Sequence, residues 1–328
     1  MVRFWNLLRA AAFLALAASS VAAGAEPERT VELAQQEFSR SLPGTGAGAA
    51  LQERLGAPDL TGVDKEIERE AFEILARDES TLIDQYIELY GNNVNTDDAR
   101  ELFPAYRADR SRAAAVHAPS TELSNKVYAK LLDENRGTVD EVIFLAGGGG
   151  SGKTTALKKM VLDQGRDHVI TFDGTFADPS SNKERIKQAL DHGYEVSVVY
   201  VHVENPLKAL ANALERAERM AAEEGSGRTI PTAWLIEQHA KARQAFVDAA
   251  KEMKSEPRVT FQVIDNSGTL DNIKVVGSGD QAVDFMQQRL YDANAVERLK
   301  KEGEELVETW FRAGKISPQT YRGFSANP

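Results

Sequence analysis

The feature that most constrains this chain is an eight-residue stretch, GGGGSGKT, at residues 147–154. It matches the pattern G-x-x-x-x-G-K-[ST] completely, and it follows an apolar run at 142–146 and precedes a helical pattern at 154–162. Glycines allow backbone N–H groups to turn inward around phosphate oxygens, and the start of a helix adds a partial positive charge. The stretch therefore predicts a phosphate-binding loop between a strand and a helix.

The residues of this loop predict how a nucleoside triphosphate is held. Lys153 is expected to reach the β and γ phosphates as a mobile cation, and the Thr154 hydroxyl is expected to bind Mg²⁺. The alternative, a glycine-rich loop that binds nothing, fits poorly with the flanking strand and helix. The predicted nucleotide contacts, for ATP or another nucleoside triphosphate, are Gly147, Gly148, Gly149, Gly150, Ser151, Gly152, Lys153, Thr154 and Thr155.

The rest of the chain alternates between short apolar runs and helical patterns from about residue 92. The runs lie at 94–95, 142–146, 168–172, 196–203 and 259–264, with a further edge strand at 273–276. The helical patterns lie near 97–103, 120–135, 153–164, 182–192, 206–224 and 232–254. This alternation predicts an α/β fold of the P-loop NTPase type, in which three layers surround a mainly parallel sheet of five or six strands.

Four regions follow from these patterns. Residues 1–25 resemble a secretory signal peptide, and residues 26–90 form a helical N-terminal region with a strong amphipathic pattern at 64–90. The P-loop domain is predicted at 91–276, and a helical C-terminal tail at 277–328.

Composition excludes several classes of function. The chain has no cysteine, which removes disulfides, thiolate zinc sites, iron–sulfur clusters and cysteine nucleophiles. Its five histidines form no HExxH pattern, so a histidine metal site has little support. The formal net charge of −11 argues against nucleic acid as a partner, because nucleic-acid-binding proteins usually carry a basic surface.

Two further groups of residues are candidates for the chemistry. Asp173 and Thr175 follow an apolar strand, where an acid can hold Mg²⁺ through water or bind an acceptor; the alternative is an aspartate that caps a turn. Arg216 and Arg219 share one helix face, and Arg228 follows two glycines that loosen a loop. Arginines at such positions suit the charge on a transferring phosphoryl group, although a solvated helix face is the alternative.

Four stretches together resemble the zeta-toxin family of P-loop kinases, which phosphorylate UDP-N-acetylglucosamine. They are the loop GGGGSGKT, the segment that starts with Asp-Gly-Thr at 173–201, the two-arginine segment at 214–231, and VNTDDARELFP at 94–104. The resemblance covers about residues 85–270. It implies a kinase that uses ATP and Mg²⁺ and whose acceptor is a nucleotide sugar.

The resemblance also implies a role for single residues. Lys153 and Thr154 would hold the triphosphate and Mg²⁺, and Asp97 would accept the proton of the acceptor hydroxyl, with the adjacent Asp98 as the alternative base. Asp173 would bind both the metal and the acceptor, and Thr175 would bind the acceptor. Ser120 would also bind the acceptor, from a substrate helix that carries His117 as well. Arg216 and Arg228 would stabilise the transferring phosphate, and Asn266 would lie near the adenine.

The order of these segments departs from the family. The Asp97 segment usually follows the phosphate loop, whereas here it precedes it, so the chain looks permuted. Parallel strands can lie side by side with either connectivity. A permuted order therefore requires that the strand before Asp97 lie beside the strand of the phosphate loop or that of Asp173.

These observations leave two hypotheses for function. The first is a toxin-like kinase that transfers a phosphoryl group from ATP to a hydroxyl of a small acceptor, most readily a nucleotide sugar such as UDP-N-acetylglucosamine. The alternative is an exported nucleotide-binding protein without kinase turnover that acts through a protein partner. An antitoxin-like protein is a candidate partner, and no stable membrane span is expected after signal cleavage.

The N-terminus predicts export to the periplasm or beyond. Arg3 and Arg9 give a positive start, residues 10–18 are apolar, and residues 23–25 read Ala-Gly-Ala, which has the form of a cleavage site. An uncleaved helix or anchor is the alternative. We expect the mature protein to begin near Glu26 and to appear in the periplasmic or extracellular fraction. N-terminal sequencing tests this, and Met1 or Val2 on the bulk of the soluble protein would contradict it.

Overall fold

The computed structural model describes residue 60 and residues 62–160, 168–268 and 273–325. The predicted signal peptide and residues 26–59 of the predicted N-terminal region lie outside the described residues. None of the helices within the described ranges is both long and apolar enough to span a bilayer.

The described residues form one six-stranded sheet with the order β1-β3-β2-β4-β5-β6. Its strands are β1 (Asn93–Asn95), β2 (Glu141–Ala146), β3 (Val169–Asp173), β4 (Glu195–His202), β5 (Val259–Asp265) and β6 (Lys274–Ser278). The first five strands are mutually parallel, and β6 pairs antiparallel with β5 at the edge. The predicted α/β fold with a mainly parallel sheet is thus confirmed.

The helices connect these strands and cover the sheet. They are α1 (Val63–Tyr90), α2 (Thr96–Arg100), α3 (Pro104–Ala108), α4 (His117–Glu134), α5 (Lys153–Met160), α6 (Pro179–Asp191), α7 (Pro206–Glu224), α8 (Thr232–Glu252), α9 (Asp280–Gln287), α10 (Ala293–Arg312) and α11 (Pro318–Ser325). A short 3₁₀ helix, Arg110–Ala113, precedes α4.

The sheet is buried on both faces, as the apolar runs predict. Successive residues of β2 alternate between two cores, since Phe144 packs with α1, α4, α6 and α8, whereas Ile143 and Leu145 pack with Leu157 of α5. Phe144 and Phe172 stack across β2 and β3 with ring centroids 5.9 Å apart. Two-sided burial fixes the register of each central strand, because a slip of one residue would exchange its two faces.

The C-terminal region that the sequence predicts as a helical tail at 277–328 contains three helices, α9, α10 and α11, within the residues that the structure describes. The chain leaves α9 after Gln287, and Asp292 starts α10 by accepting a hydrogen bond from the Ala295 N–H at 2.7 Å. The helices α10 and α11 pack on α7 and α8 around a separate apolar core that includes Leu214, Val307 and Phe324. The tail thus supports the two helices that flank Arg228.

The register of the three strands at one edge positions the site. Asn95 of β1 pairs with Asp173 of β3, and Leu145 of β2 pairs with Asp173 from the other side. The carboxyl ends of these strands therefore lie together, which is where ligands bind in doubly wound sheets. The strand before Asp97 lies beside that of Asp173, so the chain meets the geometric condition that a permuted order sets.

Tyr86 of α1 fastens β1 to the rest of the fold. Its hydroxyl accepts a hydrogen bond from the Asn95 N–H at 2.7 Å and lies 3.0 Å from the Asn93 carbonyl and 3.1 Å from the Asn95 carbonyl. The side chain is completely buried. A three-residue edge strand makes few ladder bonds, so these hydrogen bonds add to the pairing with β3 and the burial of Val94 in holding β1 in place.

We expect Tyr86→Phe to lower the free energy of unfolding by about 1–3 kcal/mol, because the change leaves a buried N–H of β1 without its acceptor. Urea unfolding measures this change. The matched control is Tyr106→Phe, since the buried Tyr106 ring makes no hydroxyl hydrogen bond within the described part of the chain. Equal effects of the two substitutions would contradict the anchoring role of Tyr86.

Candidate active site

A cleft of about 1040 Å³ opens where β1, β2 and β3 end. The phosphate loop with the start of α5, the helix α2 and the segment that follows β3 all line this cleft. The predicted site residues that line it are Asp97, Gly149, Gly150, Gly152, Lys153, Thr154, Thr155, Asp173, Thr175, Arg216, Arg228 and Asn266. The fold therefore brings together residues that lie far apart in the sequence.

The phosphate loop has the local structure that its glycines predict. Gly147, Gly150 and Gly152 adopt positive φ values of 131°, 75° and 86°, which side chains larger than glycine rarely tolerate. The loop leads directly into α5, so the partial positive charge of that helix adds to the Lys153 ammonium. The arrangement can receive the phosphates of a nucleotide.

Thr154 and Asp173 form a pair of oxygen ligands at the base of the cleft. The Thr154 hydroxyl donates a hydrogen bond to the Asp173 carboxylate at 3.3 Å, across the junction of α5 and β3. Mg²⁺ prefers hard oxygen ligands and keeps several of its waters. A hydroxyl and a carboxylate beside a phosphate loop fit that preference, so these two residues could hold the metal.

Burial affects the pKa values of Lys153 and Asp173 more strongly than their mutual attraction does. The Lys153 ammonium lies 4.0 Å from the Asp173 carboxylate, yet desolvation lowers the pKa of Lys153 and raises the pKa of Asp173. A close ion pair would shift both pKa values in the opposite directions. The two charges are therefore poorly compensated by each other, so a bound phosphate would stabilise the Lys153 ammonium and a bound cation would stabilise the Asp173 carboxylate.

Arg216 and Arg228 add positive charge to the same cleft. Burial lowers the pKa of Arg216, and within the ranges that the structure describes no carboxylate lies within ion-pair distance of its guanidinium. Burial lowers the pKa of Arg228 to about 10. Arg219, which was grouped with Arg216 in the sequence, also lines the cleft but is exposed. Buried guanidinium groups beside a phosphate loop favour an anionic ligand.

Asp97 lies at the centre of a chain of charged and polar contacts. The Asn95 side chain caps α2 by accepting a hydrogen bond from the Asp97 N–H at 2.8 Å, which fixes the backbone. Arg100 donates to one oxygen of Asp97 at 2.8 Å, and Arg228 forms an ion pair with the other oxygen. A carboxylate of a predicted base thus meets an arginine 131 residues away.

His117 holds Arg100 in this chain of contacts. Its Nδ1 lies 2.7 Å from the Arg100 guanidinium, which donates the hydrogen bond. Burial and the neighbouring Arg100 lower the pKa of His117 to about 3, so the ring is neutral and can accept this bond at physiological pH. Arg100 is a site residue that sequence reasoning missed, although it stands within the quoted segment 94–104.

Asp98 differs from Asp97 in its surroundings. Burial, and secondarily the negative charges of Asp173 and Glu101, raise the pKa of Asp98 to about 6. Its carboxyl lines the cleft without an arginine partner within the described residues. The two adjacent aspartates are therefore distinguished by structure: Asp97 is paired with cations, and Asp98 faces other carboxylates.

The predicted acceptor residues occupy different positions. Thr175 lines the cleft, and its backbone carbonyl accepts a hydrogen bond from Gly147. Ser120 is fully buried in α4 and is not among the lining residues, whereas its neighbour Thr121 is. A contact between Ser120 and the acceptor stays a prediction.

Asn266 lies against the phosphate loop. Its amide donates to the Ser151 carbonyl at 2.8 Å, and a side chain at Gly152 would come within 2.4 Å of it. The predicted contact between Asn266 and the adenine stays a prediction.

Residues 158–287 match the sequence model of the zeta-toxin family. This segment of the chain is zeta-toxin-like. The resemblance drawn from the quoted motifs is thereby confirmed for this segment, which contains the Asp-Gly-Thr segment at 173–201 and the two-arginine segment at 214–231. The match begins after the phosphate loop and the Asp97 segment, so the permuted order of those segments stays a prediction.

The chain is also similar to solved structures. One comes from the molecular and structural characterisation of the PezAT chromosomal toxin–antitoxin system of Streptococcus pneumoniae; it has 14% identity, 56% of this chain and 96% of that chain are covered, and the TM-score is 0.36. Another is the AvrRxo1-ORF1:-ORF2 complex, with 13% identity, 60% and 85% coverage, and a TM-score of 0.39. No curated protein matches the sequence.

The contrast between the adjacent aspartates predicts opposite effects on stability. Because the pKa of Asp98 rises from 3.8 to about 6 on folding, the folded protein binds a proton in this range that the unfolded chain releases. The contribution of Asp98 to stability therefore falls as the pH rises from about 4 to 6. We expect Asp98→Asn to stabilise the protein at pH 7 by at most about 3 kcal/mol, the equivalent of two pKa units, and to have little effect at pH 4.

Urea unfolding of wild type and variant at pH 4, 5, 6 and 7 measures this difference. The matched comparison is Asp97→Asn, which should destabilise the protein at pH 7 because it leaves Arg100 and Arg228 buried without their carboxylate. A stability difference for Asp98→Asn that does not vary with pH would contradict the prediction.

Proposed function

We propose that this protein is an ATP- and Mg²⁺-dependent kinase that phosphorylates a hydroxyl of a small acceptor, most readily a nucleotide sugar such as UDP-N-acetylglucosamine. One observation carries the proposal: Asp97, Arg228 and the phosphate loop line a single cleft. A carboxylate for the acceptor proton, cations for the transferring phosphate and a nucleotide site are the parts that phosphoryl transfer needs.

The geometry supports a division of labour among these residues. The loop amides and Lys153 would hold the triphosphate, and Arg216 and Arg228 would face the γ-phosphoryl group. An Asp97 oxygen would take the proton of the acceptor hydroxyl, whose oxygen forms the new bond to phosphorus while the β–γ bridging oxygen leaves with ADP. Mg²⁺, held through Thr154 and Asp173, would supply charge neutralisation between the β and γ phosphates.

The contacts of Asp97 set a requirement for this mechanism. Its two oxygens are engaged by Arg100 and Arg228, so at least one contact must yield to the acceptor hydroxyl. Arg228 is the group that would move, because a γ-phosphoryl group is a competing anion on the same side of the cleft. Arg100 would remain, held by His117, and would keep the carboxylate oriented.

The cell biology of the protein belongs to the same proposal. The N-terminal sequence supports export to the periplasm or beyond, and an exported kinase would act where ATP is present, such as inside another cell. A toxin-like role and a small antitoxin-like partner are part of this proposal, and the match of residues 158–287 to the zeta-toxin family model supports them.

The decisive experiment incubates the protein with ATP, Mg²⁺ and a panel of nucleotide sugars and analyses the products by mass spectrometry. We expect a phosphorylated nucleotide sugar and ADP in equal amounts. Lys153→Ala should abolish nucleotide binding or turnover. Asp97→Asn should spare ATP binding but reduce transfer by about 10²–10⁴-fold, the usual effect of losing a general base.

The matched control is Lys158→Ala, which removes an exposed lysine from the same helix and should leave the rate unchanged. A wild-type rate of phosphoryl transfer in the Asp97→Asn variant would exclude Asp97 as the base and would leave Asp98 as the candidate. Slow loss of ATP without any acceptor product would overturn the kinase proposal in favour of a nucleotide-binding protein that acts through a partner.

A further inference from the structure

Five consecutive carbonyl groups of the phosphate loop accept hydrogen bonds from side chains. Lys153 donates to the carbonyls of Gly147 at 3.0 Å and Gly148 at 3.3 Å. The next three carbonyls are bonded by residues from elsewhere in the chain. His239 donates to Gly149 at 2.9 Å, Asn212 to Gly150 at 3.1 Å, and Asn266 to Ser151 at 2.8 Å.

We propose that His239, Asn212 and Asn266 are positioning residues that hold the phosphate loop in its nucleotide-binding shape. We call these three residues the carbonyl clamp. They come from α8, from α7 and from the end of β5, and they lie 90, 62 and 115 residues from the carbonyls that they bind. The proposal rests on nucleotide binding at the loop and does not depend on the transfer step.

The physical basis is the geometry of the peptide unit. The C=O and N–H of one trans peptide point in opposite directions, so a carbonyl that is held against the protein turns the N–H of the next residue away from it. Bonds to the carbonyls of Gly149 and Ser151 thus direct the N–H groups of Gly150 and Gly152 toward the cleft. A concave row of such N–H groups is what binds phosphate oxygens.

The glycines of the loop fit closely around the clamp. A β-carbon at Gly148 would come within 2.3 Å of the His239 ring, and one at Gly152 would come within 2.4 Å of the Asn266 amide. At Gly150 the obstacle is the Ala209 carbonyl of α7 at 2.1 Å. Gly149, by contrast, meets nothing closer than 3.8 Å. Three of these glycines are therefore needed for contact with the elements that carry the clamp, in addition to any contact with phosphate.

Lys153 and the three residues of the carbonyl clamp differ in whether they can keep their hydrogen bonds to the loop while a nucleotide is bound. Lys153 must release its carbonyls when its ammonium moves to a phosphate, so it cannot hold the loop while nucleotide is bound. His239 is buried, and burial lowers its pKa to about 4, so the neutral ring keeps a single N–H for the Gly149 carbonyl at physiological pH. Asn266 is also buried, and neither amide titrates. The clamp can therefore act continuously through binding and release.

The test measures the dissociation constants of ATP and ADP with Mg²⁺ by titration calorimetry. His239→Leu removes the donor and should raise both constants about 3- to 10-fold, the effect of losing one hydrogen bond. His239→Gln keeps an N–H at a similar reach and should stay within about twofold of wild type. Asn212→Leu and Asn266→Leu should each resemble His239→Leu, and the triple Leu variant should lose at least about 30-fold.

The matched control is His192→Leu, because His192 also bonds a backbone carbonyl, that of Gln188 at 2.7 Å, but lies at the end of α6 away from the loop. Its affinity for ATP should equal that of wild type. Asn212 is exposed, so Asn212→Leu carries the test if a buried substitution prevents folding. In the kinase assay the KM for ATP should rise while kcat at saturating ATP changes less than about threefold.

Two results would overturn the clamp. One is wild-type affinity in folded His239→Leu and Asn212→Leu. The other is an equal loss in His239→Gln and His239→Leu, which would show that ring shape matters and not the donated bond. Failure of the proposed function is distinguishable: a wild-type protein that binds ATP but phosphorylates no acceptor leaves this test intact, whereas one that binds no ATP overturns both.

Discussion

The parallel pairing of β1, β3 and β2 is the constraint on which the rest of the site depends. Parallel strands end at the same edge of a sheet, so the residues that follow them lie together whatever the order in which the chain visits the strands. Here that edge brings Asp97, Asp173 and the phosphate loop into one cleft. The site is thus determined by strand adjacency, and adjacency does not require a particular connectivity.

Several buried charged side chains in this cleft lack a close partner of opposite charge among the described residues, and this determines which ligands the cleft favours. Lys153, Arg216 and Arg228 are desolvated, and among the described residues Arg228 forms a close ion pair with Asp97, whereas Lys153 lies 4.0 Å from Asp173. Desolvation also raises the pKa of Asp98 and of Asp173 in the same cleft. Both sets of groups are costly to bury unless a ligand compensates them. A nucleotide phosphate with its metal ion would do so for cations and carboxylates together.

The helices outside the sheet mainly hold the site residues in position. The tail helices α10 and α11 pack on α7 and α8, and these two helices carry Arg216, the loop of Arg228 and two members of the carbonyl clamp. His117 of α4 orients Arg100, which orients Asp97. The orientation of Asp97 therefore depends on side chains from two other positions in the fold, Arg100 and His117.

The sequence by itself determined the phosphate loop, the α/β class and nearly every strand. These features are local because each can be recognised within a few residues. One is a glycine pattern between an apolar run and a helix, and the others are apolar runs of strand length. Lys153, Thr154, Asp173 and the arginines could be assigned in this way, because each stands in a short recognisable segment.

Only the tertiary structure decided which groups meet. It pairs Asp97 with Arg228, gives Asp97 and Asp98 different surroundings, buries Ser120 and places the Asn266 amide against the Ser151 carbonyl. It also divided the tail into separate helices and revealed His239 and Asn212 as partners of the loop. These contacts join residues 62 to 131 positions apart, and no local pattern encodes them. They depend on the packing of whole helices against the sheet, which fixes distances that the order of residues along the chain leaves open.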